Sequence, residues 1–216
     1  MIIKYFHYKK KELFFVGFAW MAIYQPWWSG TFVFLMNIFN IVNGAVNPGL
    51  YILIGTMFIP VTSFSWFMGI TEMLFQKYRK LIVGFYVCVS VLMDILIATL
   101  IFMGFSDQLA HIEIVDADYR SFMIIYLMFI NSSVAITCFL IGRISIKSQL
   151  PQVKLRGKFL IAASICYFLG GLLDVGLIEF IPELLIITRS ILMLGSVLFY
   201  LGFLLPKRLE KWFLKL

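Results

Sequence analysis

The hydrophobic residues of the chain fall into long runs, and short polar or charged segments separate these runs. A helix that crosses the apolar core of a bilayer needs about 20 residues, and each clear run reaches that length. The pattern therefore predicts membrane-spanning helices. The predicted spans that the polar segments delimit are 49–75, 81–104, 121–142, 159–180 and 184–205.

The apolar region before residue 49 is less regular, because Pro26 falls within it. Proline removes a backbone donor and breaks or kinks a helix. The region can form one span at about 13–31 followed by an interfacial segment, or two short spans broken near Pro26. Pro60 predicts a kink in the span 49–75 for the same reason.

The composition supports this membrane assignment. Of the 216 residues, 62% are hydrophobic and only 13% are charged, whereas soluble domains carry roughly 25% charged residues. A soluble chain of this length could not hide so much apolar surface. We therefore predict an all-α, polytopic transmembrane helical bundle. It would form a single integral domain over 1–216 and lie in the cell membrane as a multi-pass protein.

The positive charges indicate the orientation of the spans. Four segments, 4–11, 77–80, 143–158 and 207–215, hold 16 of the 18 lysines and arginines. Lysine and arginine accumulate in cytoplasmic loops. Six spans place all four segments on the cytoplasmic side, together with both termini. Seven spans would leave the lysines at 9–11 outside, so six spans are favoured and seven remain the alternative.

The inner basic residues are candidates for contact with anionic lipid or with a partner protein. Segment 207–216 also has the pattern of a basic amphipathic tail on the inner leaflet. Membrane topology explains the net charge of +7, so no nucleic-acid partner is expected. The candidate contact residues are Lys147, Lys154, Arg156, Lys158, Lys207 and Arg208.

Asp174 and Arg189 form the sharpest pair of ionisable residues within the spans. Each lies six residues from the short connection between the last two helices, which places both about 9 Å below its level. Helices joined by so short a turn are neighbours, so we predict an Asp174–Arg189 ion pair. Gly170, Gly171 and Gly176 would allow close helix packing. The pair is either a structural staple or a site for a polar ligand that enters from outside.

Asp94 and Asn131 form a second candidate pair, because both lie at a depth of roughly 15 Å in neighbouring spans. The pair predicts either a structural hydrogen bond or a proton- or cation-coupled site. Glu72 lies close to the basic segment 77–80 and is predicted to form an interfacial ion pair with it.

Familiar catalytic patterns are absent from the sequence. The last span has no lysine for a retinal Schiff base, and there is no GxSxG, HExxH or glycine-rich phosphate loop. Cys88, Cys138 and Cys166 lack metal-ligand spacing and are expected to be packing residues. We therefore predict no catalytic residues, no metal and no cofactor, and the chain is not expected to be an enzyme.

Several short motifs resemble those of uncharacterised archaeal multi-span proteins, which look like the membrane-sensor halves of prokaryotic signalling receptors. The motifs are Gly17-Phe-Ala-Trp20, Pro26-Trp27-Trp28, Pro60 with Trp66, Lys154-Leu-Arg-Gly-Lys158-Phe159 and Gly170-Gly171-x-x-Asp174. The resemblance also implies a further N-terminal span before the lysine-rich segment, for which the residues from Met1 are too few.

The resemblance and the topology together favour a sensory or adaptor module that signals by helix rearrangement to a separate partner. The alternative is a small transporter or channel in which Asp94 and the Asp174–Arg189 pair line a polar path. A lipid-modifying enzyme is a third, weaker option.

Overall fold

The fold is known from a computed structural model, which describes residues 11–41, 46–112, 117–120, 122–174 and 182–214. Apart from one small sheet, its regular elements are helices. This confirms the predicted all-α class. Within the described residues, five helical segments are long and apolar enough to cross a membrane: Pro48–Leu74, Gln76–Phe102, Phe122–Ile146, Pro151–Asp174 and Leu184–Leu204.

The chain divides into two compact units, Met1–Tyr126 and Leu127–Leu216. We refer to them as the first and second units.

The first unit begins with a broken helix. Helix α1 covers Lys11–Ala22, a 3₁₀ turn covers Gln25–Trp27, and helix α2 covers Trp28–Ile38. The helix is thus interrupted near Pro26, within the region for which the sequence left open one span at about 13–31 or two short spans. Pro26 lies at the start of the 3₁₀ turn, where its missing N–H is tolerated. Each half is too short to span alone, since the 12 residues of α1 extend only about 18 Å.

The next span is also broken. Helix α3 covers Pro48–Thr56 and helix α4 covers Ile59–Leu74. Asn47 caps α3 by accepting a hydrogen bond of 3.2 Å from the Leu50 N–H. Pro60 lies in the first turn of α4, so it cannot donate to the carbonyl one turn back, and the helix is interrupted there as predicted.

Helix α1 packs antiparallel to α4. A Cβ added at Gly69 would lie 2.7 Å from Val16 Cγ2, so the missing side chain allows the two helices to approach closely. Ala22, six residues after Val16 on α1, accepts a hydrogen bond of 3.3 Å at its carbonyl from the Thr62 hydroxyl on α4. The beginning of α1 therefore lies beside the end of α4.

Helix α5 covers Arg79–Phe102 and packs on α4. After it come a short helix, α6 (Ser106–Leu109), and two strands, β1 (Ala110–Ile112) and β2 (Ala117–Tyr119). The strands pair antiparallel, with His111 opposite Asp118. The acidic connection between the predicted spans 81–104 and 121–142 thus contains a β hairpin in which Ala110, Ala117 and Tyr119 are buried.

The described residues of the second unit form four helices: the C-terminal part of α7 (Phe122–Ile146), α8 (Pro151–Asp174), α9 (Pro182–Leu204) and α10 (Lys207–Leu214). Glycines bring them together. A Cβ at Gly157 on α8 would lie 2.7 Å from the carbonyl oxygen of Gly142 on α7. One at Gly202 on α9 would lie 2.5 Å from Leu160. Close backbone approach of this kind is typical of helix packing in lipid.

Candidate functional site

The predicted ion pair is present in the second unit. Nη2 of Arg189 lies 3.3 Å from Oδ1 of Asp174, with 12% of the Asp174 side chain and 32% of the Arg189 side chain exposed. Charge-assisted hydrogen bonds are usually 2.7–2.9 Å, so this is a loose contact rather than a tight bidentate one. The depth predicted for the pair depends on the connection 175–181, which includes Gly176 and lies outside the described residues.

The two adjacent glycines near this pair face different helices. A Cβ at Gly170 would lie 2.6 Å from Leu192 on α9, whereas a Cβ at Gly171 would lie 2.5 Å from the Asn131 amide on α7. Asp174 follows Gly171 by about one helical turn. The glycine pair therefore allows both α7 and α9 to pack close to α8, just before the carboxylate.

Asn131 belongs to this polar region of the second unit. Its Nδ2 donates a long hydrogen bond of 3.5 Å to the carbonyl of Phe168. Its Oδ1 is buried and accepts no hydrogen bond from the described residues. Sequence reasoning paired Asn131 with Asp94, which lies in the other unit, and that pairing stays a prediction.

Asp94 sits in a cluster of hydroxyl groups within the first unit. The hydroxyl of Ser90, one turn before Asp94 on α5, donates to the Ser63 hydroxyl on α4 at 3.2 Å. The Tyr126 hydroxyl lies close to Ser90 and Asp94. Oδ1 of Asp94 is buried and has no hydrogen-bond partner among the described residues. The only indication of this cluster in the sequence is the four-residue spacing of Ser90 and Asp94, which places both on one face of a helix.

A second polar cluster lies at the two helix breaks of the first unit. The Gln25 side chain is fully buried, and its Nε2 donates to the carbonyl of Ile54 at 3.0 Å. Its Oε1 accepts no hydrogen bond from the described part of the chain. The hydroxyl of Ser29, also fully buried, donates to the carbonyl of Pro26 at 3.2 Å. In the sequence, Gln25 and Ser29 are uncharged polar residues inside an apolar run, and this indication of a buried polar cluster was missed.

The β hairpin reaches this cluster through Tyr119. A Cβ at Gly55, one residue before the end of α3, would lie 3.2 Å from the Ser29 hydroxyl and 3.4 Å from the Tyr119 hydroxyl. The absence of a side chain at Gly55 therefore allows the hairpin, α2 and α3 to meet at one point. This point is next to both helix breaks.

The basic candidates lie mainly on the surface. Arg156 is half-buried, and its Nε has no hydrogen-bond partner among the described residues. The Lys207 side chain lies outside the described set, although the residue begins α10. Glu72 forms an ion pair with Arg79, as predicted from the neighbouring bases. The exposed candidates are Lys147, Lys154, Lys158 and Arg208.

A groove of about 360 Å³ lies between α7 and α8 in the second unit. Its lining is almost entirely apolar, and Asn131, Asp174 and Arg189 are not part of it. The lining residues are Ser132, Ala135, Ile136, Phe139, Ser164, Ile165, Phe168 and Leu169.

The five long apolar helical segments, with small clusters of buried polar residues between the helices, place the protein in the class of α-helical integral membrane proteins. No protein-family model, curated protein or solved structure matches the chain. The resemblance to archaeal sensor-like proteins stays a prediction from the sequence motifs.

Proposed function

We propose that the protein is a membrane-embedded sensory or adaptor module without catalytic activity, which signals by helix rearrangement to a separate partner. The approach of the Tyr119 hydroxyl to Gly55, one residue before α3 ends and beside Ser29 at the start of α2, is the observation that carries this proposal. It connects a hairpin at one end of the first unit to the points where two neighbouring helices are interrupted.

Six spans with both termini in the cytoplasm are part of the proposal. The broken α1–α2 segment supplies one crossing in addition to the five long apolar segments. The antiparallel packing of α1 on α4 supports six spans over seven, because it brings the beginning of α1, at Lys11, to the same end as the last turn of α4, which the basic segment 77–80 follows. The hairpin then faces outward.

The breaks provide the means of rearrangement. A helix interruption frees backbone hydrogen bonds, so the two halves can change their angle at low cost. Gln25 replaces one such bond by donating to Ile54. A ligand that displaced Tyr119 would therefore alter the angle between α3 and α4. The inner half, α4, ends near the Glu72–Arg79 pair and the bases that a cytoplasmic partner would contact.

Hydrogen exchange of the protein in lipid nanodiscs tests this coupling. We expect Tyr119→Ala to increase deuterium uptake in the hairpin and also at the far end of α4, within 68–74. His111→Ala is the matched control, because His111 lies on the same hairpin but is exposed. An effect of Tyr119→Ala confined to the hairpin would contradict the proposal.

The alternative is a small transporter or channel that uses Asp94 and the Asp174–Arg189 pair. The observation that favours it is the buried Asp94 carboxylate oxygen close to the Tyr126 hydroxyl, since ionisable residues at membrane depth often mark ion pathways. Proton or sodium flux into proteoliposomes that is abolished by Asp94→Asn would favour transport over sensing. Flux equal to that of empty liposomes would exclude it for these ions.

A further inference from the structure

The connection between α7 and α8 and its flanks carry a concentration of positive charge. Five bases lie within 143–158, and the sequence has no aspartate or glutamate between Arg120 and Asp174. Asp174 itself pairs with Arg189. In the described part of the second unit, none of the five bases forms an ion pair. Such a surface attracts an anion, and at a membrane surface the abundant anions are phospholipid headgroups.

The groove between α7 and α8 leads to two of these bases. Its α7 residues Ser132, Ile136 and Phe139 follow helical spacing, and Arg143 continues the same face one turn later. On α8, the face that carries Ile165 continues through Ile161 to Lys158. Arg143 and Lys158 are both exposed. The groove and the two bases therefore form one continuous surface.

The chemistry of the groove fits a hydrocarbon chain. Ile136, Ile165 and Leu169 are 59%, 49% and 44% exposed, so the groove is open to the bilayer. The Ser164 hydroxyl already donates to the carbonyl of Ile161 at 2.8 Å, so it offers no free donor to a polar ligand.

The distances along the helices from the groove to the two bases fit a lipid with its acyl chain in the groove and its headgroup at the bases. Arg143 lies about 6 Å beyond Phe139 along α7, and Lys158 about 9 Å beyond Ser164 along α8. Long basic side chains extend further to the headgroup level.

Helix α10 marks the level of the headgroups. Phe213 packs edge-on against Phe159, the residue after Lys158, with ring centroids 5.3 Å apart. The neighbouring Trp212 is 72% exposed. Exposed tryptophans are typical of the membrane–water interface. Lys158 therefore lies where a lipid phosphate is expected.

We propose that the second unit binds one anionic phospholipid, with an acyl chain in the α7–α8 groove and the phosphate at Arg143 and Lys158. The proposal does not require the sensory role; only the leaflet, the inner one, follows from the orientation proposed above. It assigns the groove to a lipid rather than to a protein partner.

Native mass spectrometry of the detergent-solubilised protein tests the site, with phosphatidylglycerol and phosphatidylcholine as probes. We expect one phosphatidylglycerol to bind in preference to phosphatidylcholine. Arg143→Gln with Lys158→Gln should weaken that binding by roughly five-fold for each base removed. Lys77→Gln with Lys80→Gln is the matched control, since it removes two exposed bases of another segment. Equal binding of both lipids, or an equal loss in the control, would overturn the proposal.

A second variant separates a lipid from a free anion. Ser132→Phe fills the groove without changing charge, so it should weaken binding of both lipids while inorganic phosphate fails to compete. If phosphate competes and Ser132→Phe has no effect, the bases bind a soluble anion and the lipid site is wrong. Arg143→Lys with Lys158→Arg keeps both charges and should retain binding, which separates loss of the site from loss of folding.

Discussion

Gly157 shows how strongly a single residue can constrain the second unit. A Cβ at this position would lie 2.7 Å from the Gly142 carbonyl oxygen, 2.7 Å from the Ile146 nitrogen and 2.9 Å from the Ser145 Cβ. None of these atoms can move by rotating a side chain, so α7 and α8 would have to separate.

We expect Gly157→Ala to lower the free energy of unfolding by about 1–3 kcal/mol, the usual cost of overpacking. Gly84→Ala is the matched control, because a Cβ at Gly84 within α5 has no neighbour within 4 Å. Alanine there should be neutral or stabilising, because it is the better helix former. Denaturant titration in mixed micelles measures both changes, and equal effects would contradict this account.

The Asp174–Arg189 pair can be classified by a double-mutant cycle. If the pair has a structural role and holds α8 and α9 together, Asp174→Asn and Arg189→Gln should each destabilise the protein. The double variant should lose less than their sum, with a coupling of roughly 0.5–3 kcal/mol. Removing one partner leaves the other uncompensated, whereas removing both does not. Strict additivity in thermal unfolding would show that the 3.3 Å contact contributes no stability.

At the scale of elements, the apolar runs predicted the later helices closely. The run 81–104 corresponds to Arg79–Phe102, and 184–205 to Pro182–Leu204. Charged or proline-containing borders define these ends. Hydropathy could not decide whether the first run breaks near Pro26, because Gln25 and Pro26 are only two residues among many apolar ones. The β hairpin was not predicted because its acidic residues outweighed its weak alternation of polar and apolar positions.

The contact of α1 with α4 depends on one glycine and can be tested by compensation. We expect Gly69→Ala to loosen α1, since the new Cβ would lie 2.7 Å from Val16 Cγ2. Hydrogen exchange within 11–22 should then increase. Val16→Ala removes the obstructing methyl groups and should restore protection in the Gly69→Ala background. Failure of this rescue would show that the contact with Val16 does not limit the packing.

At the scale of the molecule, the sequence could give the depth of a polar residue but not the direction in which it points. Depth was sufficient for Asp174 and Arg189, because a short connection makes their helices neighbours. Depth did not indicate that the Asn131 amide faces Gly171 on α8, and the pairing of Asn131 with Asp94 stays a prediction. For the same reason, the cluster of Gln25, Ser29 and Tyr119 could not be predicted from separated positions in the sequence.

The last prediction concerns the whole chain and tests the proposed six-span topology. In a variant with Cys88, Cys138 and Cys166 replaced, a single cysteine at His111 should react with a membrane-impermeant maleimide on intact cells. Cysteines at Lys77, Lys147 and Arg208 should react only after permeabilisation, because the proposed topology places the basic segments inside. Lys11→Cys separates six spans from seven: α1 begins beside the end of α4, so it should behave like Lys77→Cys. Labelling of Lys11→Cys from outside, with Lys77→Cys protected, would establish seven spans.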